Sequence, residues 1–191
     1  LLQEQMGRRL ACVPFFDTAV LSATALKSLL PHPLAEHWLT QIATEKAVAA
    51  MALSWQTGTA RVHSTGWHLD GTWPSVGSAQ MAQVIVLPAQ SPTGETLLFA
   101  LDAHSPGLQI TSLETLDTTR CLAQVQANGV NVSENQCLAR GQAAEALLTR
   151  IKYLAAIGLA AEQVGVAQAC LDMALAYVLE RQQFGRPIAS F

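Results

Sequence analysis

Charge is scarce in this sequence of 191 residues, in which Asp, Glu, Lys and Arg together make up 13%, against about a quarter in ordinary soluble domains. So little charge leaves few groups to cover a solvated surface, and extensive contact between subunits is the expectation that follows. A net charge of −3 provides no positive field for nucleic acid or an anionic membrane, so neither is expected as a partner. Cys12, Cys121, Cys137 and Cys170 lie far apart, with no C-x-x-C pair and no accompanying His cluster. That spacing argues against a zinc site or a disulfide framework and for a reducing, intracellular compartment. His32, His37, His63, His68 and His104 fall in or near expected turns without ligand spacing, so no metal is expected. No glycine-rich phosphate loop opens a helix, and Ser64, Ser75 and Ser105 lack a nucleophile-elbow pattern, which removes nucleotide-triphosphate and hydrolase chemistry. Internal repeats, low-complexity tracts and a visible signal peptide are also missing. The chain starts at Leu1 and stops at Phe191 inside a motif, so truncation at both ends is expected. Asn131-Val132-Ser133 matches a glycosylation sequon and is read as chance.

What is present is apolar: 50% of the residues are hydrophobic, ample for a packed core. Residues 1–46 read as helical. Asp17-Thr18 is an expected N-cap pair, followed by an apolar stripe of Val20, Leu21, Leu26, Leu29 and Leu30. Pro31 and Pro33 are expected to end that helix, and a second helix from about Leu34 carries Trp38, Leu39 and Ile42 on one face. Residues 47–139 change to short β-prone runs bounded by Gly, Pro, Ser and Asp. Val84 to Leu87 and Leu97 to Leu101 are continuously apolar, as strands covered on both faces are, whereas Cys121, Ala123, Val125 and Ala127 alternate on one face. Asp70-Gly71 and Ser91 to Gly94 are expected hairpin turns, so a small antiparallel barrel or sandwich is the natural closure. From Gly141 the apolar period becomes helical and stays so for about forty residues. Glu162, Gln163 and Asp172 interrupt the apolar stretch Tyr153 to Leu179, which is therefore read as a buried helix and not a membrane span. Small residues from Ala155 to Ala169 favour a tight bundle. The expected class is α+β and multidomain: a helical piece, a β middle domain, and over 140–191 the opening helix of a bundle.

The chain closes on Glu180-Arg181-Gln182-Gln183-Phe184-Gly185-Arg186-Pro187-Ile188, where Gly185 and Pro187 are expected to stop the helix. Arg181 and Gln183 then project from a helix end, where a guanidinium and an amide suit a phosphate or ring edges, and Phe184 is expected to anchor the turn. This segment resembles the R-x-Q-F-G-x-P-I signature that ends the first long helix of the acyl-CoA dehydrogenase C-terminal domain. Gly66-Trp67-His68-Leu69-Asp70-Gly71-Thr72, Leu101 to Leu108 and Leu116-Asp117-Thr118-Thr119-Arg120 resemble middle-domain segments of the same family. The resemblance spans nearly the whole chain.

That resemblance implies the tail of an α-helical N-terminal domain, a complete β middle domain and the first helix of a four-helix bundle, assembled as dimers or tetramers. It implies an FAD enzyme of the bacterial cytoplasm that converts an acyl-CoA to a trans-2-enoyl-CoA, with electron-transfer flavoprotein as electron acceptor. Ser54 would face FAD, and Arg181, Gln183 and Phe184 would form the part that touches the FAD of a neighbouring subunit. Departures from the pattern follow the same residues. After Ser54 comes Trp55-Gln56-Thr57-Gly58, a shortened loop without its acidic residue. Trp73, Pro74, Ser75, Val76 and Gly77 stand where flavin-packing residues are expected, and Trp73 is open to a core role or a stacking one. Ala156 replaces an Arg near the acyl-CoA, with Arg150 and Lys152 out of register. Ala155 stands where one branch keeps its catalytic Glu. No catalytic base is therefore expected within these residues, Glu162 included, and the base is expected beyond residue 191. The alternative reading is a non-catalytic partner subunit that donates Arg181 and Gln183 to a paralogous subunit.

Overall fold

A computed structural model describes residues 1–44, 47–54 and 58–191. By compactness the chain divides into residues 13–155, and residues 1–12 together with 156–191.

The larger unit is built on an eight-stranded sheet: β1 (Ala49–Met51), β2 (Gly58–His63), β3 (Gly66–Gly77), β4 (Val84–Gln90), β5 (Thr96–Asp102), β6 (Leu108–Ser112), β7 (Leu122–Ser133) and β8 (Cys137–Arg140). The strand order is β6-β7-β3-β2-β4-β5-β8, with β1 beside β4. The sheet is mixed, which corrects the antiparallel expectation: β1 and β2 both run parallel to β4. A parallel partner needs a long crossover, and here the β2–β3 hairpin lies in the connection from β1 to β4.

Burial explains the texture of the strands. Ile85, Leu87, Leu97, Phe99 and Leu101 enter a core inside the β domain with Trp67, Leu69, Trp73 and Val125. Their sequence neighbours Val84, Val86, Leu98 and Ala100 enter a second core with Leu26, Ala35, Leu148 and Ile151 from helices. Successive strand residues point to opposite faces, so strands covered on both faces must be apolar throughout. β3 and β7 are buried on one face and alternate. The sheet curls so that the Trp67 ring meets Phe99 edge-on at 6.1 Å.

Several local expectations change. Asp17 and Thr18 cap no helix; they lie in a π-helical turn, Phe16–Ser22, that leads into α2 (Ala23–Ser28). Their side chains serve the sheet instead: the Ser78 hydroxyl donates to Asp17 Oδ2 at 2.6 Å, and Thr18 Oγ1 donates to the Ala49 carbonyl at 3.0 Å. Pro33 starts α3 (Pro33–Thr44) instead of ending a helix, since a first-turn proline lacks an N–H that would have no helical partner. Asp70-Gly71 is no hairpin turn. It lies within β3 at a break in register opposite β7, where Asp70 Oδ1 accepts the Gly129 N–H at 2.7 Å. Ser91 to Gly94 does turn the chain between β4 and β5, with Gly94 at φ 84°.

The long helix α4 (Gly141–Glu180) has the expected length. Through Ala155 it belongs to the larger unit, where Ala144, Leu147, Leu148, Ile151 and Ala155 are buried. In the smaller unit α1 (Leu2–Arg9) crosses the rest of it. A Cβ at Gly7 would overlap the Glu162 carbonyl, and one at Gly165 would overlap the Glu4 carbonyl. The paired glycines thus let two backbones touch, and the Arg8–Asp172 ion pair flanks the crossing. Within this chain by itself the stretch Tyr153 to Leu179 is not buried as expected: Tyr153, Ile157, Val164, Leu171, Met173, Tyr177 and Leu179 are exposed. The helix is long and apolar enough to cross a membrane by length and composition, with 17% of its most apolar window buried.

Candidate functional site

Ser54 stands just past β1, whose residues Ala49 to Met51 are fully packed and fix where the chain emerges. Across from it, β3 breaks register with β7 between Trp73 and Val76, which turns Pro74 and Ser75 outward. Lys152 comes from the first part of α4, next to the buried Ile151. These residues, with Ala52 and Leu53, line a cavity of about 440 Å³. The walls are apolar, with two hydroxyls and one ammonium as the polar groups among the described lining side chains. Burial holds the Lys152 pKa below its usual value, because an ammonium loses hydration against such walls.

Trp73 takes the core role. Its side chain is 1% exposed, and its Nε1–H donates to the Pro88 carbonyl at 3.0 Å, with the ring filling space beside Gly58. Stacking on a ligand is closed to a ring held in this way. The loop expected at Trp55, Gln56 and Thr57 lies outside the described residues.

Arg181, Gln183 and Phe184 come together at the end of α4, in the smaller unit. The helix ends at Glu180, and the next residues form a tight hairpin in place of a simple helix stop, with β9 (Gln182–Gln183) paired to β10 (Arg186–Pro187). Phe184 at φ 51° and Gly185 at φ 78° make the turn, the left-handed pair that two-residue hairpins need. Arg181 N–H donates to Tyr177 and its carbonyl accepts from Ile188, which fastens the hairpin to the helix. Phe184 is 92% exposed, contrary to the expected apolar anchorage within the chain. Its ring meets Phe191 edge-on at 6.2 Å, and Arg186 lies over Phe191 at 4.0 Å.

Ala155 is buried and Ala156 exposed, and neither offers a polar group. Glu162 lies at the α1 crossing, where Gln3 Nε2 reaches its Oε2 at 3.5 Å. Its surroundings are those of a helix contact. Of the histidines, His63 and His68 stack edge to face at 4.2 Å on the outer side of the β2–β3 hairpin, and His104 meets Asp102 at 3.2 Å. Sequence reasoning passed over Lys152 because it was out of register with an expected Arg. Its signal was a cation directly after the core residue Ile151.

The fold and the hairpin define an α+β protein in which a curled β domain leads into a long bundle helix. Residues 145–191 match the family described as acyl-CoA dehydrogenase, C-terminal domain. Acyl-CoA dehydrogenase FadE27 of Mycobacterium tuberculosis is 29% identical over 190 residues, covering 97% of this chain and 49% of that protein. The ChsE4-ChsE5 complex from Mycobacterium tuberculosis superposes with a TM-score of 0.89 at 27% identity, over 100% of this chain and 52% of that one. A Tcur3481-Tcur3483 steroid ACAD variant gives 0.81 at 30% identity, over 100% and 52%. Over residues 145–191 the chain carries the C-terminal domain of the acyl-CoA dehydrogenase family, and along its whole length it is similar to members of that family. It spans about half the length of the relatives it matches.

Proposed function

We propose that this chain is part of an FAD-dependent acyl-CoA dehydrogenase that converts an acyl-CoA thioester to a trans-2-enoyl-CoA. The observation that carries the reading is the Arg181–Ile188 hairpin fastened to the end of α4, with Arg181, Gln183 and Phe184 all exposed on it. The residues present fit the cofactor: the cavity at Ser54 offers apolar walls to a planar ring system and hydroxyl groups to its polar edge. Ser54 would hold that edge, while Arg181, Gln183 and Phe184 would hold the FAD of a neighbouring subunit. The chemistry that a bound FAD supplies is acceptance of the hydride from Cβ of the thioester as a base takes the Cα proton.

This chain's own contribution is binding and exclusion of water. Ala52, Leu53 and the Trp73 edge keep the cavity wall apolar, which strengthens any polar contact made inside it. Ala155 and Ala156 cannot move a proton, so the base is assigned to polypeptide beyond residue 191. Segments 1–46, 47–139 and 140–191 are proposed as the end of one helical domain, the β domain and the start of the bundle. The remaining proposals are an oligomeric assembly in the bacterial cytoplasm, electron-transfer flavoprotein as acceptor, and no part for nucleic acid, a membrane or a metal.

A second reading, a non-catalytic subunit that completes a partner's FAD site, is favoured by the joint departures at flavin and substrate positions, the loop after Ser54, the residues Trp73 to Gly77, and Ala156 where many relatives carry an Arg. The similarity to a ChsE4-ChsE5 complex supports it. The absorbance of the full-length protein purified alone tests both. Stoichiometric flavin supports the self-sufficient enzyme, and a colourless protein that gains flavin only on co-expression with a paralogous subunit supports the partner role. Absence of flavin under both conditions overturns the reading as a whole.

A further inference from the structure

A second cavity, of about 430 Å³, lies between the start of α3 and the turn Glu134–Gln136, lined by His32, Pro33, Leu34, His37, Asn135 and Gln136. None of these residues lines the cavity at Ser54, and all belong to the larger unit. The frame is fixed on both sides. Leu34 and Trp38 pack on the core that contains the buried Ala35, and reciprocal capping between Ser133 and Gln136 closes the turn just before the buried Cys137.

Hydrogen bonds within the chain set which atoms these side chains have to offer. His32 Nδ1 accepts the Leu34 N–H at 3.2 Å, so the ring proton is on Nε2 and that nitrogen donates. Gln136 Oε1 accepts the N–H and the hydroxyl of Ser133, at 2.9 and 3.0 Å, which leaves its NH2 group to donate. Asn135 adds a second carboxamide and His37 a second imidazole, its ring edge-on to Trp38 at 5.2 Å. No carboxylate stands among the described lining residues. Of the carboxylates next to them in sequence, Glu134 is turned to Trp67 Nε1 and Arg140, and Glu36 is exposed in the first turn of α3. The cavity therefore gathers N–H donors beside an apolar wall of Pro33 and Leu34, at a volume within the range of small-molecule sites. Each imidazole supplies an N–H and each carboxamide a pair, a set that the three oxygens of a phosphate accept more fully than the two of a carboxylate.

We infer that this cavity binds a small organic phosphate, whose phosphate oxygens accept from His32, His37, Asn135 and Gln136 and whose organic part rests on Pro33 and Leu34. The site is additional to the one proposed for FAD and does not depend on what the cavity at Ser54 takes.

The test uses the full-length protein in the assembly in which it purifies, with phenyl phosphate as the probe and binding read by calorimetry. Saturable binding is expected, about tenfold tighter than that of benzoate, which has the same ring and a carboxylate. His37 and Asn135 are exposed, so His37→Ala and Asn135→Ala are expected to leave the melting temperature and the flavin content as they are in the unaltered protein. Each is expected to weaken phenyl phosphate about tenfold, the worth of one hydrogen bond to a charged group. Failure to bind phenyl phosphate overturns the inference, as does benzoate bound equally well. Binding that either variant leaves unchanged also overturns it, because the phosphate then sits elsewhere on the protein.

Discussion

Cys137 shows what burial does to a single group. Desolvation, with the negative charge of Glu95 adding to it, pushes the thiol from its ordinary 9.0 up to about 11. The folded state therefore holds this proton more tightly than the unfolded chain. The stability it contributes is complete below about pH 9 and is lost as pH rises toward and through 11. Denaturation of the full-length protein across that window is expected to show a fall in stability that is shallower in Cys137→Ala. The same spacing argument that ruled out a disulfide among the cysteines said nothing about this thiol. Its environment is set by burial in the core of the β domain, with Glu95 adding a negative charge. Trp73 is a parallel case: its residue type left core packing and ligand stacking open, and the hydrogen bond to Pro88 decided for the core.

At the scale of elements, the crossing of α1 over α4 depends on two glycines rather than on apolar side chains. Gly165→Ala improves helix propensity by about 1 kcal/mol, yet its Cβ would overlap the backbone carbonyl of Glu4. A backbone atom cannot rotate away as a side chain does, so the clash prevails, at about 1–3 kcal/mol. The expected outcome is a lower melting temperature and faster hydrogen exchange in Leu2–Arg9 than in the β strands. Unchanged exchange in those amides would show that the helices do not depend on this contact. Helix α4 itself was legible because apolar residues from Leu147 to Val178 recur at mostly three- and four-residue steps. The element errors share one cause: Asp17-Thr18 and Asp70-Gly71 carry residue types suited to caps and turns. Their side chains were instead recruited by partners distant in sequence, Ser78, Ala49 and Gly129.

For the molecule as a whole, the low charge content finds its counterpart in the exposed apolar residues of α4. Met173 is 73% exposed and Leu179 64% exposed, and we propose that protein covers them in the assembled state. If so, Met173→Glu in the full-length protein shifts it to a smaller species in size-exclusion chromatography coupled to light scattering, or renders it insoluble. A freely solvated position would tolerate the charge within about 0.5 kcal/mol with no change in assembly.

The sequence by itself determined the order of helix, β domain and helix, the double-sided burial of β4 and β5, and the hairpin signature at Arg181 to Ile188. These follow from local period and from a motif carried by consecutive residues. Tertiary structure alone decided the parallel pairing of β1 and β2 with β4, the core position of Trp73, and the gathering of Ser54, Ser75 and Lys152 around one cavity. Each depends on residues brought together from distant positions, and hydrophobic period records which face is buried without recording against what.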